Sequence, residues 1–187
     1  TLKIASTLVE AGADLPLITA QGLNLKQFST MRLWRYGLDG MKLENGLIWT
    51  TITNKQRKAA GFLGASSNGL SNLLADVDEA AIGVVIMEMG DSTIRVGWRC
   101  RPPYNVAEIA QKLGGGGHSL AAGCTIIGPL DEVEEQVVMI SKEAIHNAVK
   151  HSGAHSLSLG ILRKDGGVQA QIADDGKGSE ATAVGQG

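Results

Sequence analysis

Cysteine is scarce. Only Cys100 and Cys124 occur in 187 residues, with no C-x-x-C spacing, so neither a disulfide framework nor a zinc knuckle is suggested, and both read as small buried apolar residues. Long hydrophobic runs are missing too. The longest, such as Ala80 to Met87, fall far short of the roughly 20 residues a membrane span requires, and no signal-peptide pattern opens the chain, so a cytoplasmic protein with no membrane partner is expected. Neither sign of charge dominates: 17 Lys and Arg stand against 19 Asp and Glu, which excludes a highly basic nucleic-acid wrapper, while 43% hydrophobic residues exclude disorder. No aromatic residue follows Tyr104. Glycine, by contrast, is abundant at 25 residues, roughly twice the average share. The chain therefore reads as two sequences joined, and as a fragment at both ends. Its length suits one large domain, or one complete domain plus part of another.

Leu2, Ile4, Ala5, Leu8 and Val9 recur at helical spacing, with Gly12 to end the helix, and Asp14-x-Pro16 opens a short second one. Asn24 is the expected N-cap of a third, whose apolar stripe runs from Leu25 to Tyr36. Asn45-Gly46 between Met41–Glu44 and Leu47–Ile52 predicts a tight hairpin. Helices follow near 54–60 and 69–75, then a strand pair, Ile82–Met89 and Thr93–Arg99. Asn105 caps a helix that stops at Gly114. Cys124–Ile127 reads as a short strand, Leu130 to Lys150 as one long helix, and Leu157–Leu162 with Val168–Ala173 as a third hairpin.

The first chemical pattern is anionic in its target. In Gly114-Gly115-Gly116-Gly117-His118 the missing Cβ atoms let backbone N–H groups approach an oxyanion together, and His118 adds a donor. Ser119 to Ala122 is expected to begin a helical turn whose free N–H groups attract negative charge. Arg99 and Arg101 alternate about Cys100, so both guanidinium groups are expected on one strand face, placed to grip phosphate.

Arg99-Cys-Arg101-Pro102, a helix, then GGGGH-x-x-A-A-G over Gly114 to Gly123 resembles the DHH-associated domain of DHH-family phosphoesterases, and within it the nanoRNase (oligoribonuclease) and pAp-phosphatase branch. The resemblance covers about residues 1–138. It implies that Arg99, Arg101, Gly115, Gly116, Gly117 and His118 contact the phosphate and nucleotide of the substrate, short RNA or DNA oligonucleotides or pAp. Two manganese ions are implied for the DHH half of the parent enzyme. No Asp-His-His triplet occurs in this chain, so no catalytic residue and no resident metal are expected in it. Ser119 departs from the basic or polar residue often found after the motif histidine.

A second pattern lies downstream. Glu143 and Asn147 are four apart on one helix face and Lys150 follows nearly in line, while Asp174-Asp175-Gly176-Lys177-Gly178 ends a strand with glycines that let the backbone bend around a flat ligand. Together these resemble the N box and first glycine box of the histidine-kinase-like ATPase fold. That resemblance implies a magnesium contact from Asn147, work on water or the N-box network from Glu143, a phosphate contact from Lys150 and an adenine contact from Asp174, with Gly176 and Gly178 shaping the ATP site. It stops partway. With two strands and no lid, residues 153–187 are expected to be loosely structured and not to bind MgATP appreciably. His118, His146, His151 and His155 lack the i, i+4 pairing and the thiols of a zinc site.

The expected fold class is α/β. A mixed sheet with flanking helices forms residues 1–138, the DHH-associated substrate-binding domain with its leading connector helices. Residues 139–187 form an incomplete ATPase segment, a partial α/β hairpin. The leading expectation is nucleotide and phosphate binding as the substrate-binding half of a phosphoesterase, partnered by a missing DHH catalytic domain. Its rivals are an ATP-binding fragment of a sensor histidine kinase and an artificial joining of two gene fragments.

Overall fold

The computed structural model describes residues 2–19, 25–152, 157–164 and 167–174. Asn45 and Gly46 stand at positive φ, 50° and 79°, as a two-residue hairpin turn requires. They join β1 (Lys42–Glu44) to β2 (Leu47–Ile52). Ahead of them lie α1 (Leu2–Glu10), α2 (Leu15–Thr19) and α3 (Phe28–Asp39). The third helix starts later than expected, after an extended Gln27 that makes no side-chain cap bond. Asn24 falls outside the described residues.

A capping box of Thr53 and Gln56 starts α4 (Asn54–Ala60), and α5 (Leu70–Ala75) follows. Together these helices span the crossover that lets β3 (Ile82–Gly90) run parallel to β2, Leu47 opposite Ile82 and Ile52 opposite Met87. Every other pairing in the sheet is antiparallel. β3 turns into β4 (Thr93–Cys100). The Asn105 side chain accepts from the Ala107 N–H at 3.1 Å and starts α6 (Val106–Lys112), as its position predicts. Two further strands, β5 (Gly116–His118) and β6 (Ala121–Ile127), complete a six-stranded sheet of order β1-β2-β3-β4-β6-β5. Helix α7 (Leu130–Ser152) follows, then a separate antiparallel pair, β7 (Leu157–Lys164) and β8 (Gly167–Asp174).

Both faces of β2 and β3 are buried. On one face Leu47, Trp49, Ile82, Val84, Val96 and Trp98 pack against α6 and α7 through Val106, Ile109, Val133 and Val137. Ile145 joins the same cluster, so α7 packs on it on both sides of the boundary expected at 138/139. On the other face Ile48, Ile52, Val85 and Met87 meet Leu33, Leu70 and Leu74 of α3 and α5. The mixed α/β architecture expected from the sequence is thus the observed one. Both cysteines are buried, and burial pushes the Cys124 thiol up to about 11. No helix among the described residues is long and apolar enough to cross a membrane.

A polar clasp ties the β1 edge to α7. The Glu134 carboxylate accepts from Lys42 Nζ (2.8 Å), Trp49 Nε1 (3.0 Å) and Thr51 Oγ1 (2.8 Å), while Lys142 pairs with Glu44. Both lysines also lie over the Trp49 ring, 5.7 and 5.4 Å from its centroid. Burial alone would push the Glu134 carboxyl up, but its three hydrogen bonds and the Lys42 charge outweigh burial and hold it below the ordinary value. A carboxyl depressed on folding stabilises the fold above its unfolded pKa, and that contribution is lost as pH falls through the folded one. Urea midpoints measured from about pH 6 to about pH 3 should therefore fall more steeply for the wild type than for Glu134→Gln. Parallel curves would assign the acid sensitivity to other carboxylates.

Candidate functional site

Along β4 the alternation is strict: Ile94, Val96, Trp98 and Cys100 are buried, whereas Arg95, Gly97 and Arg99 face the other way and are exposed or half-buried. On that side α5 packs over β3 and reaches the edge of β4. It sits so close over Gly83 that a Cβ would lie 2.6 Å from the Ala75 nitrogen. Beyond it, β4, β6 and β5 form a shelf whose outward residues stay accessible.

The register orders this shelf. Arg99 pairs with Ala121, which pairs with His118, so an arginine and a histidine flank a single methyl group. With strands about 4.8 Å apart, their Cα atoms are separated by roughly 10 Å, within the combined reach of both side chains. Gly97, Gly123 and Gly116 form the next line, and Arg95 with Thr125 the one after.

The glycine run is not the phosphate-type loop expected. The N–H groups of Gly114 and Gly115 donate to Gln111 and Ala110 and close α6, and Gly116–His118 is an edge strand. Two of these glycines are demanded by strand packing: a Cβ on Gly115 would lie 2.3 Å from the Gly123 carbonyl oxygen, and one on Gly117, at φ 147°, 2.5 Å from that of Ala121. Gly116 meets nothing. The helical turn expected at Ser119–Ala122 is absent as well. The Val106 and Cys100 N–H groups capture the Ser119 and Leu120 carbonyls, and β6 begins at Ala121.

The two arginines of the motif part company. Arg101 lies just past β4, and its Nη2 donates to the carbonyls of Val77 (3.1 Å), Asp78 (3.1 Å) and Ala80 (2.7 Å), fastening the turn after α5. Arg99 stays on the shelf, where its Nη1 makes one hydrogen bond among the described residues, to the Trp98 carbonyl at 2.8 Å. The arginine that shares its face is Arg95, which the motif reading passed over. Period-two alternation of Arg95, Gly97 and Arg99 against Ile94, Val96 and Trp98 was the signal that marked it.

A loop overhangs the shelf at the Arg95 end. Its carbonyls are held by side chains: Gly64 by Arg57 (3.4 Å), Ala65 by Arg95 (3.2 Å) and Ser67 by Trp34 (3.0 Å), while Asn68 donates to Thr30 (3.2 Å). Between loop and strand lies a cleft of about 160 Å³, lined by Ser66, Ser67, Val85, Arg95, Gly97 and Arg99 among others.

The residues expected to bind ATP lie elsewhere. Asn147 lines a cleft of about 270 Å³ with Tyr104, Asn105, Glu108 and Lys112, on the α6–α7 side of the sheet, and Glu143 is exposed. Lys150 belongs to α7 and Asp174 ends β8 opposite Leu157. Gly176, Gly178 and His155 fall outside the described residues. Among the described residues no three His, Cys, Asp or Glu side chains converge as a metal site would need.

A mixed sheet backed by α6 and α7 on one face and by α3 and α5 on part of the other, with an arginine–histidine line on the uncovered part, belongs to a definable class. The family model described as DHHA1 domain matches residues 54–150, over half the chain, and the chain belongs to that family, the DHH-associated domain of DHH phosphoesterases. The chain is similar to the bifunctional oligoribonuclease and PAP phosphatase NrnA of Mycoplasma genitalium, 28% identical over 147 residues that make up 79% of this chain and 45% of that protein. Among solved structures it resembles an exopolyphosphatase-related protein from Bacteroides fragilis, with a TM-score of 0.67 at 21% identity, covering 78% of this chain and 42% of that one. The chain thus spans less than half the length of the curated relative it matches.

Proposed function

We propose that the shelf binds short oligonucleotides or nucleoside phosphates such as pAp, as the substrate-binding half of a DHH-type phosphoesterase. The observation that carries this reading is Arg99 and His118 on one line of the sheet, bracketing Ala121 on an accessible face. A guanidinium has five N–H donors, and with one held by the Trp98 carbonyl, four remain in a planar fork that matches a phosphate. The name of the Mycoplasma relative joins two phosphate-ester activities, and both substrates would bring the anion this face attracts. The described residues offer no ligand set for the family's manganese, so hydrolysis is assigned to a DHH half and none of it to the shelf.

Two arginine variants test the reading together. Arg99→Ala should weaken titrated pAp binding about tenfold or more, the loss expected for one charge-assisted contact, with little change in thermal midpoint. Arg101→Ala should do the reverse, lowering the midpoint because three carbonyls lose their donor, while binding persists. Wild-type affinity in Arg99→Ala would remove the shelf from consideration.

A further inference from the structure

We infer that the shelf reads the base of the nucleotide whose phosphate it takes, and that Arg95 selects guanine there. This deepens the reading of the shelf as the nucleotide site and rests on it. One phosphate occupies the Arg99–Ala121–His118 line, and the ligand's other phosphate is left for the DHH half. The next line of the sheet, Gly97, Gly123 and Gly116, carries no Cβ atom across three strands. Gly123 is demanded by packing, since a Cβ there would lie 2.9 Å from the Val96 carbonyl oxygen, but one on Gly97 or Gly116 would meet nothing within 4 Å. Neither of those two stands at positive φ. The fold thus gives no reason for glycine at 97 or 116, and glycine weakens a strand. A ligand gives one: with no side chain in the way, a flat ring lies directly on the peptide planes.

Lines on one face repeat every two residues, about 6.7 Å apart, so a nucleotide with its phosphate on the first line sets its base over the second. Arg95 stands on the third, opposite Thr125. It also lines the cleft under the loop at residues 65–69, together with Gly97, Ser66 and Ser67. One guanidinium N–H donates to the Ala65 carbonyl, which leaves four for a ligand. Guanine presents O6 and N7 as neighbouring acceptors, which the arginine fork meets with two N–H groups, whereas adenine sets an amino donor beside N7 and the pyrimidines present no such pair. Adenine would call for an amide. The one in the lining, Asn68, commits its Nδ2 to Thr30 at 3.2 Å, and the lining has no carboxylate to accept from an amino group. The Ser66 and Ser67 hydroxyls, each both donor and acceptor, suit the remainder of a guanine edge.

The experiment is calorimetric titration of the whole chain with guanosine 3′,5′-bisphosphate and with adenosine 3′,5′-bisphosphate, which differ only in the base. The wild type should bind the guanine ligand about tenfold or more tighter. Arg95→Gln should erase or reverse that order, because a glutamine amide pairs with adenine N6 and N7; an arginine that merely holds the Ala65 carbonyl would leave the order unchanged. Gly97→Val supplies the independent arm. Its first added carbon enters open space and valine favours strands, so the fold should persist while the displaced base costs about tenfold in affinity and the difference between the ligands disappears. Equal affinities in the wild type, tighter binding of the adenine ligand, or a guanine preference that survives either variant would overturn the base reading and leave the shelf reading intact. Binding of neither nucleotide would overturn both.

Discussion

Replacing Trp98 with alanine should remove about 3–5 kcal/mol of stability, the usual cost of emptying a tryptophan-sized space in a core. Its side chain is wholly buried at the centre of the cluster between the sheet and the helices α6 and α7. The indole Nε1 donates to Ser141 Oγ at 3.0 Å, and that hydroxyl donates to the Val137 carbonyl at 2.7 Å, so truncation both opens a cavity and leaves Ser141 an unused acceptor. Against a total of roughly 5–15 kcal/mol, the variant should be partly unfolded near 37 °C. Trp98→Phe keeps most of the volume and should lose only about 1–2 kcal/mol. Urea unfolding of the three proteins gives the comparison. Equal losses in the two variants would show that the indole hydrogen bond, and not its volume, carries the effect.

Arg57→Ala is expected to follow at about 3 kcal/mol, by a different route. This arginine is buried, yet among the described residues no carboxylate forms an ion pair with it. Its Nη atoms donate to Asn54 Oδ1 and to the carbonyls of Glu88, Met89 and Gly64, and only its Nε lacks a partner among the described residues. Truncation leaves those oxygens without a donor beneath a cavity, and each orphaned buried group costs about 1–3 kcal/mol. Lysine should not rescue the variant, because a single ammonium cannot reproduce the planar fork. The variant should also weaken nucleotide binding, since the Gly64 carbonyl belongs to the loop that overhangs the shelf. Guanidinium-chloride unfolding together with pAp titration checks both parts. Full stability with lysine at position 57 would mean that the charge alone matters there.

The elements legible in the sequence were those fixed by neighbouring residues. Asn45-Gly46 announced its hairpin, Asn105 its helix start, and the Val133, Val137 and Ile140 stripe the long α7. The misread elements depended on distant partners. Gly116–His118 has no strand-forming composition and is extended because Gly123 and Ala121 of β6 pair with it, which also turns Ser119–Ala122 away from helix. The parallel meeting of β2 and β3 follows from a crossover, which no local pattern records. Arg99 and His118, which the motif predicts as ligand contacts, share one line of the sheet with Ala121. Alternation about Cys100 predicts Arg101 on the same face as Arg99, but the chain leaves the sheet after Cys100, and three carbonyls near α5 take the Arg101 side chain instead. Arg95 belonged to no motif.

The strict alternation of β4 has a thermodynamic consequence for recognition. The residues between Arg95, Gly97 and Arg99 are the buried Val96 and Trp98, so the backbone beneath the proposed binding face is locked from behind by the largest cluster of the core. Such a platform is ordered before anything lands on it, and occupancy should freeze side-chain rotamers at about 0.5–1.5 kcal/mol each with little backbone entropy lost. Affinity differences among ligands should then reside in how fast they leave.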